Sequence, residues 1–201
     1  MLKMLIKKSQ IKIVEEIVRN PGVNLRGLIS KTKLSPNYVS KYVNLLVERG
    51  ILKEERLEKG RVYLRRFFFN FQSVVGRNLF ILIKDEQRGD FFQMYKKLRK
   101  VFEQAEEMKG IEFVLVYGSY ARFAAGKESD IDILIVGNVR DKNKLREIFI
   151  SLEQDVSLKI ETLKSFEKRL GDALHQQILK EGIVICGGDV FVRFFEGKRG
   201  D

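Results

Sequence analysis

Apolar residues first recur at helical spacing. Ile11, Ile13, Val14, Ile17 and Val18 predict a helix that Asn20-Pro21-Gly22 stops. Asn24 is placed to cap a second helix, with Leu25, Leu28 and Ile29 on one side. A third opens at Ser35-Pro36, a capping serine followed by a proline whose missing N–H costs nothing at the first helical position. Val39, Val43 and Leu46 form its buried stripe, and Gly50 closes it. Two short runs, about 51–56 and 61–68, flank Glu58-Lys59-Gly60 and read as a β-hairpin. Helical spacing returns with Phe91, Met94/Tyr95, Leu98, Val101/Phe102 and Ala105, ending near Lys109-Gly110. The period then changes. Residues 111–119, "IEFVLVYGS", form an apolar strand that runs into Gly118-Ser119, and "SDIDILIV", 129–136, forms another carrying two aspartates. In "QDVSLKIETLKSF", Val156, Leu158 and Ile160 alternate with Asp155, Ser157, Lys159 and Glu161, a strand with one polar face.

This pattern divides the chain into residues 1–70, a helical connector at 71–110, and a strand-containing domain at 111–201. Three helices and a hairpin over about 8–70 resemble a winged helix-turn-helix DNA-binding domain. Such a domain offers the polar N-terminal residues of its recognition helix to the major groove. Here those are Asn37, Tyr38, Ser40, Lys41 and Asn44, while Lys59 and Arg61 stand at the hairpin tip, suited to phosphates or the minor groove.

Charge sharpens this picture. The 201-residue chain carries a net +11, with 44% hydrophobic and 32% charged residues, a soluble globular composition. Residues 1–70 hold sixteen Lys/Arg against six Asp/Glu, so nearly all the excess lies there. A basic patch confined to one segment points to a polyanion, double-stranded DNA, as the partner of that segment. The single cysteine, Cys186, excludes an internal disulfide and suits a cytoplasmic setting. It and the single histidine, His175, read as structural. No apolar run reaches the ~18 residues of a membrane span, so no membrane partner is expected.

The chemistry concentrates in residues 116–136, "VYGSYARFAAGKESDIDILIV". A glycine that ends a strand and opens a helix lets backbone N–H groups approach an anion, a natural phosphate cradle, to which the Ser119 hydroxyl adds a hydrogen bond. On a strand Asp130 and Asp132 share one face, Cα atoms about 6.5–7 Å apart, and converge on divalent cations such as Mg²⁺. A cation between them would offset the cost of sinking two carboxylates in an apolar strand. Triphosphate on the glycine turn and metal on the aspartates together describe nucleotidyl transfer.

The string "GSYARFAAGKESDIDILIV" resembles the signature of the DNA polymerase β nucleotidyltransferase superfamily, particularly its minimal stand-alone members. Gly118, Ser119, Ala121, Arg122, Ser129, Asp130 and Asp132 fall on that signature. The resemblance covers about 111–186. It implies a small mixed sheet flanked by helices after the winged helix, hence an α/β (α+β) chain. It also implies ATP or another nucleoside triphosphate as substrate, Mg²⁺ as cofactor, and Gly118, Ser119, Arg122 and Ser129 on the nucleotide. Two positions depart from the pattern. Phe123 stands where glycine is usual. The superfamily's third carboxylate, on a later strand, falls by spacing on Ser157, with Asp155 and Glu161 as same-face substitutes; Glu161 is the expected third metal ligand, and Lys159 could instead pair with Asp130 or Asp132.

Two functions follow. One is transfer of a nucleoside monophosphate, AMP from ATP, to a protein or small-molecule hydroxyl, with Asp130 and Asp132 catalytic. The other is a DNA-binding regulator, or an antitoxin-like protein beside a small helical toxin, whose transferase domain binds nucleotide or a partner without efficient catalysis. Paired half-sites, common for winged-helix readers, make a homodimer plausible.

Overall fold

The computed structural model describes residues 6–59, 62–152 and 154–196. The chain divides into two compact units, Met1–Ile83 and Lys84–Asp201.

The first unit runs α1 (Lys8–Arg19), β1 (Val23–Asn24), α2 (Leu25–Thr32), α3 (Pro36–Glu48), β2 (Leu52–Lys59) and β3 (Val62–Phe69). Its sheet, in the order β1-β3-β2, is antiparallel, and the hairpin pairs from Leu52↔Phe69 out to Lys59↔Val62. Ile13, Val14, Ile17, Leu28, Val39, Val43 and Phe67 are fully buried, so three helices and one sheet face close a single core. Asn24 caps α2 by accepting the Gly27 N–H at 2.8 Å, as its position predicts. Ser35 stands at the N-cap of α3 but makes no side-chain capping bond, while Pro36 at the first helical position removes one donor that would need serving. Tyr42 joins the α3 stripe, and burial pushes its hydroxyl up to about 12, with nearby Tyr38 adding to the shift.

The connector expected at 71–110 consists of α4 (Val74–Met94) and α5 (Lys96–Glu106), broken at Tyr95. The division between units falls inside α4. On its first half, Phe80 packs on Phe69 and Phe71, with ring centroids 5.8 and 5.3 Å away. The remainder is no linker: Phe91 and Phe92, with Leu98, Val101, Phe102 and Ala105 of α5, belong to the core of the second unit. An aromatic stripe of that size needs an apolar face to cover, and the following sheet provides it.

That second unit continues β4 (Ile111–Tyr117), α6 (Gly118–Ala121), β5 (Ile131–Gly137), α7 (Lys142–Ile150), β6 (Val156–Glu161), α8 (Leu163–Lys168), α9 (Ala173–Glu181), β7 (Ile183–Cys186) and α10 (Gly188–Glu196). The sheet order is β6-β5-β4-β7; β5 and β6 are parallel and the other pairs antiparallel, the small mixed sheet expected from the sequence. Val114, Val116, Ile131, Ile133 and Ile135 face α5 and α7. Phe113, Leu115, Tyr117, Leu134 and Val136 face the other way, onto Phe166 of α8, Ile178 and Leu179 of α9, and Phe191 and Phe194 of α10. Covering both faces explains why β4 and β5 read as unbroken apolar runs. Burying a side chain such as Phe113 contributes about 1.5–3 kcal/mol, and its ring meets Phe166 edge-on at 5.2 Å. β6 is an edge strand, half-buried along its length except at exposed Lys159.

Candidate active site and nucleic-acid interface

Gly118 and Asp132 fix the centre of the site. Tyr117 and Asp132 are register partners on β4 and β5, so the turn after Tyr117 passes over the Asp132 side chain. Gly118 has φ +70, and a Cβ there would collide with the Asp132 carboxylate, 3.2 Å from its Cγ. Glycine is therefore required twice, for its left-handed backbone and for the space the carboxylate fills. The helix expected to follow is a single turn, four residues long, which limits its dipole. The cradle reduces to the first-turn N–H groups, which lack intrahelical partners, and the Ser119 hydroxyl.

The aspartate pair is less sunken than its sequence frame predicts. β5 begins at Ile131, so Asp130 lies just before it and is exposed, while Asp132 is half-buried. The cause is a tight turn in which Ser129 Oγ accepts the Gly126 N–H at 2.9 Å and the Ser129 N–H donates back to Gly126 O at 3.3 Å. Ser129 thus holds the loop that delivers Asp130. Arg122, at the end of α6, is exposed and lies 3.7 Å from Glu181. Phe123 has φ +56, which explains why glycine is usual at this position, and its ring stacks on Tyr95 at 6.4 Å.

On β6, Ser157 is the register partner of Asp132, so the place of the third carboxylate holds a hydroxyl. Among the described residues neither candidate substitute is grouped with the pair to hold a metal ion, although the Asp155 carbonyl accepts the Ile131 N–H at 2.9 Å. Asp155 precedes β6, is exposed, and lines a cavity of about 450 Å³ with Arg146, Phe149 and Ile150 of α7. Glu161 pairs with Val136, four residues further along an unshifted ladder. Its carboxylate accepts from Arg169 Nη1 at 3.0 Å and meets His175 Nε2 at 3.2 Å. The expectation that Glu161 completes the metal site needed a bulge in β6, and the regular register provides none. Among the described residues no three His, Cys, Asp or Glu side chains are grouped to hold a metal ion. His175 is buried against Phe166 and Glu161, a structural role as expected. Burial likewise raises the Cys186 thiol to about 11. The signal missed in the sequence was Tyr117, whose buried hydroxyl lies on the Asp132–Ser157 row.

In the winged helix, Asn37 and Lys41 are exposed on α3, and Ser40 is half-buried. Two other groups are partly engaged. The Tyr38 hydroxyl is 2.8 Å from Ser9 Oγ, and Asn44 Oδ1 accepts from Arg65 Nη2 at 2.8 Å, leaving the amide nitrogen of Asn44 as its outward donor. Arg65 also bonds Glu54 at 2.6 Å, which ties α3 to the hairpin through Asn44. Arg61 and the side chain of Lys59 lie outside the described residues.

A winged helix and a mixed sheet that sets a glycine turn against a strand aspartate have the architecture of a nucleotidyltransferase fold joined to a winged helix-turn-helix. Comparisons with known proteins agree. The family described as "Polymerase beta, Nucleotidyltransferase" matches residues 96–190, and the family described as "Winged helix-turn-helix DNA-binding" matches residues 6–53. The chain is 32% identical over 78 residues to a protein of Methanocaldococcus jannaschii named "Putative protein adenylyltransferase", a match covering 37% of this chain and 78% of that protein. A solved structure described as "Crystal structure of the toxin-antitoxin with AMP-PNP" aligns with 50% of this chain and 82% of its own, at 20% identity and a TM-score of 0.35. The chain belongs to the polymerase β nucleotidyltransferase family and carries an N-terminal winged helix-turn-helix. No helix among the described residues is long and apolar enough to cross a membrane.

Proposed function

We propose that this protein transfers AMP from ATP to a hydroxyl on a protein or small molecule, and that its winged helix binds duplex DNA. The observation that carries the first part is the Gly118–Asp132 contact, a glycine turn whose missing Cβ makes room for a carboxylate. Two carboxylates, with no third grouped beside them among the described residues, suit a hard cation that takes its remaining ligands from phosphate oxygens. Asp130 and Asp132 would hold Mg²⁺, which when bound offsets the charge that develops on the phosphates. The first-turn N–H groups of α6 and the Ser119 hydroxyl would receive the triphosphate. In the transfer, the acceptor oxygen bonds to the α-phosphorus, the bond to the β-phosphate oxygen breaks, pyrophosphate leaves, and the hydroxyl proton passes to solvent. The relative named as a protein adenylyltransferase supports AMP as the transferred group and a protein as the acceptor.

Ser157 beside Asp132 favours a second reading, a DNA-binding regulator that binds nucleotide with little transfer. Incubation with α-labelled ATP, Mg²⁺ and host lysate separates the two. A labelled product lost in Asp130→Ala and Asp132→Ala supports the transferase. Metal-dependent ATP binding by calorimetry without any product supports the regulator. No ATP binding in either assay refutes both.

A further inference from the structure

Three strands bring one row of polar side chains to the end of the sheet. Tyr117, Asp132 and Ser157 are register partners across β4, β5 and β6 and share a face. The next row on that face is Leu115, Leu134 and Lys159. Two of these are buried leucines, and the third is an exposed lysine on the edge strand. The direction of that lysine is informative. Its Nζ lies 5.9 Å from the centroid of the Tyr117 ring, so it leans toward the row that holds Asp132 and Ser157. The acid on its other side, Glu161, is held by Arg169 and His175.

Tyr117 confirms how close these charges are. It is 8% exposed, and its hydroxyl makes no well-aligned hydrogen bond. Burial pushes that hydroxyl above its ordinary value of 10.0; the Lys159 charge opposes the shift, the Asp132 carboxylate adds to it, and Ser157 is also near enough to act on it. A buried phenol, an ammonium, a carboxylate and a serine hydroxyl therefore share one small volume beside the glycine turn.

A cation on the β6 side of Asp132 would meet a neutral hydroxyl at Ser157 and the ammonium of Lys159. A doubly charged ion there loses a ligand and gains a like charge. We propose that Lys159 takes the place of a second divalent ion in this chain, so that nucleotide is bound with one metal ion, on Asp130 and Asp132, and the Lys159 ammonium supplies the positive charge beside Ser157 and Tyr117. This rests on the reading of Asp130 and Asp132 as the nucleotide–metal site. The role is one of fixed charge: Lys159 attracts phosphate or acceptor oxygen, and the Tyr117 hydroxyl faces the same volume.

The test counts metal ions on the full chain. Mn²⁺ is titrated with the ATP analogue whose α,β-bridging oxygen is replaced by methylene, and bound ion and analogue are read by electron paramagnetic resonance and equilibrium dialysis. Wild type binds one Mn²⁺ per analogue. Lys159→Met, which keeps the stem, weakens analogue binding about tenfold, and Lys159→Arg restores most of it. Ser157→Asp combined with Lys159→Met raises the count to two. Two ions on wild type, one ion on that double variant with the analogue still bound, or unchanged affinity in Lys159→Met each overturn the assignment while leaving the nucleotide site standing. Absence of analogue binding in wild type overturns the nucleotide site and the Lys159 assignment with it. Lys159 is exposed, so its variants keep the fold, and a thermal melt of each checks this.

Discussion

Replacing Gly118 with alanine tests the contact at the centre of the site. The residue sits at φ +70, where an L side chain costs about 1–2 kcal/mol. The added methyl also meets the Asp132 carboxylate oxygen, and it comes within 3.2 Å of Cγ and 3.5 Å of Cβ of that residue. Spinning the carboxylate about its last bond moves the oxygen but leaves the tight 3.2 Å approach to Cγ; the 3.5 Å distance to Cβ is ordinary van der Waals contact. The backbone cannot yield cheaply either, since Tyr117 and Asp132 are paired in the β4–β5 ladder. Asp132 must leave its rotamer, which adds about 0.5–1.5 kcal/mol. A total near 2–3 kcal/mol lowers the melting temperature of a domain of this size by about 8–15 °C.

Function falls for a separate reason: the displaced carboxylate no longer faces the turn. Mg²⁺-dependent ATP binding by Gly118→Ala should weaken more than tenfold, measured by calorimetry well below the variant's melting temperature. The double variant Gly118→Ala/Asp132→Ala removes the collision and keeps only the backbone cost, so it should melt above Gly118→Ala. This is a double-mutant cycle with favourable coupling in the double. A single variant that melts within about 2 °C of wild type and binds ATP normally refutes the geometry. A double variant no more stable than the single refutes the carboxylate as the obstacle.

Mobility-shift titration should show duplex DNA binding whose affinity falls steeply with salt; Lys41→Ala weakens all sequences and lowers the salt slope by about 1, whereas Asn37→Ala mainly relaxes specificity. No shift at about 50 mM salt would make the winged helix a protein-contact module. The Glu54 carboxyl is held below its ordinary 4.5, first by the hydrogen bond from Arg65, with burial opposing and Arg56 assisting. A lowered carboxyl stabilises above the unfolded value and loses that contribution as pH falls through the folded one. Melts between pH 6 and 3 should therefore show a steeper acid loss for wild type than for Glu54→Gln, and parallel curves would count against the Arg65–Glu54 bond. Glu161→Ala should cost about 1–3 kcal/mol by stranding buried His175, with metal-dependent ATP affinity unchanged; lost ATP binding at full stability would instead make Glu161 a metal ligand.

How far the sequence could be read depended on whether the deciding partner was near in the chain. The winged helix was legible because Asn24, Pro36 and the α3 stripe act locally. Ser157 was placed at the third-acid position by the spacing of the family pattern, and the regular parallel register sets that residue opposite Asp132. The engagement of Glu161 was not legible because its partners, Arg169 at the end of α8 and His175 on α9, lie eight and fourteen residues downstream and nothing in β6 announces them. Asp130 looked sunken because the apolar run hid the Gly126–Ser129 turn, after which β5 starts two residues later than expected, at Ile131. The aromatic stripe from Phe91 was read as helical, but spacing alone does not say which sheet face it covers.

The two departures from the family signature therefore have different physical weight. At Phe123 the family's glycine serves a backbone conformation, and this chain keeps that conformation: φ stays at +56 and the ring is supported by stacking on Tyr95. The strain, of order 1–3 kcal/mol for a side chain held in this region, is borne locally and leaves the Gly118–Asp132 contact intact. At Ser157 the family's residue serves a charge, and no local packing can replace a charge. Register sets Ser157 against Asp132, regular pairing keeps Glu161 four residues away, and Asp155 lies outside the strand. On β6 itself the side chain that leans toward this row is Lys159, of opposite sign. A substitution that preserves conformation can leave a reaction unchanged, but one that removes a carboxylate beside a lysine alters how many cations the site will accept. For that reason the metal count tests the consequence of Ser157 directly, beside the product assay that separates transferase from regulator.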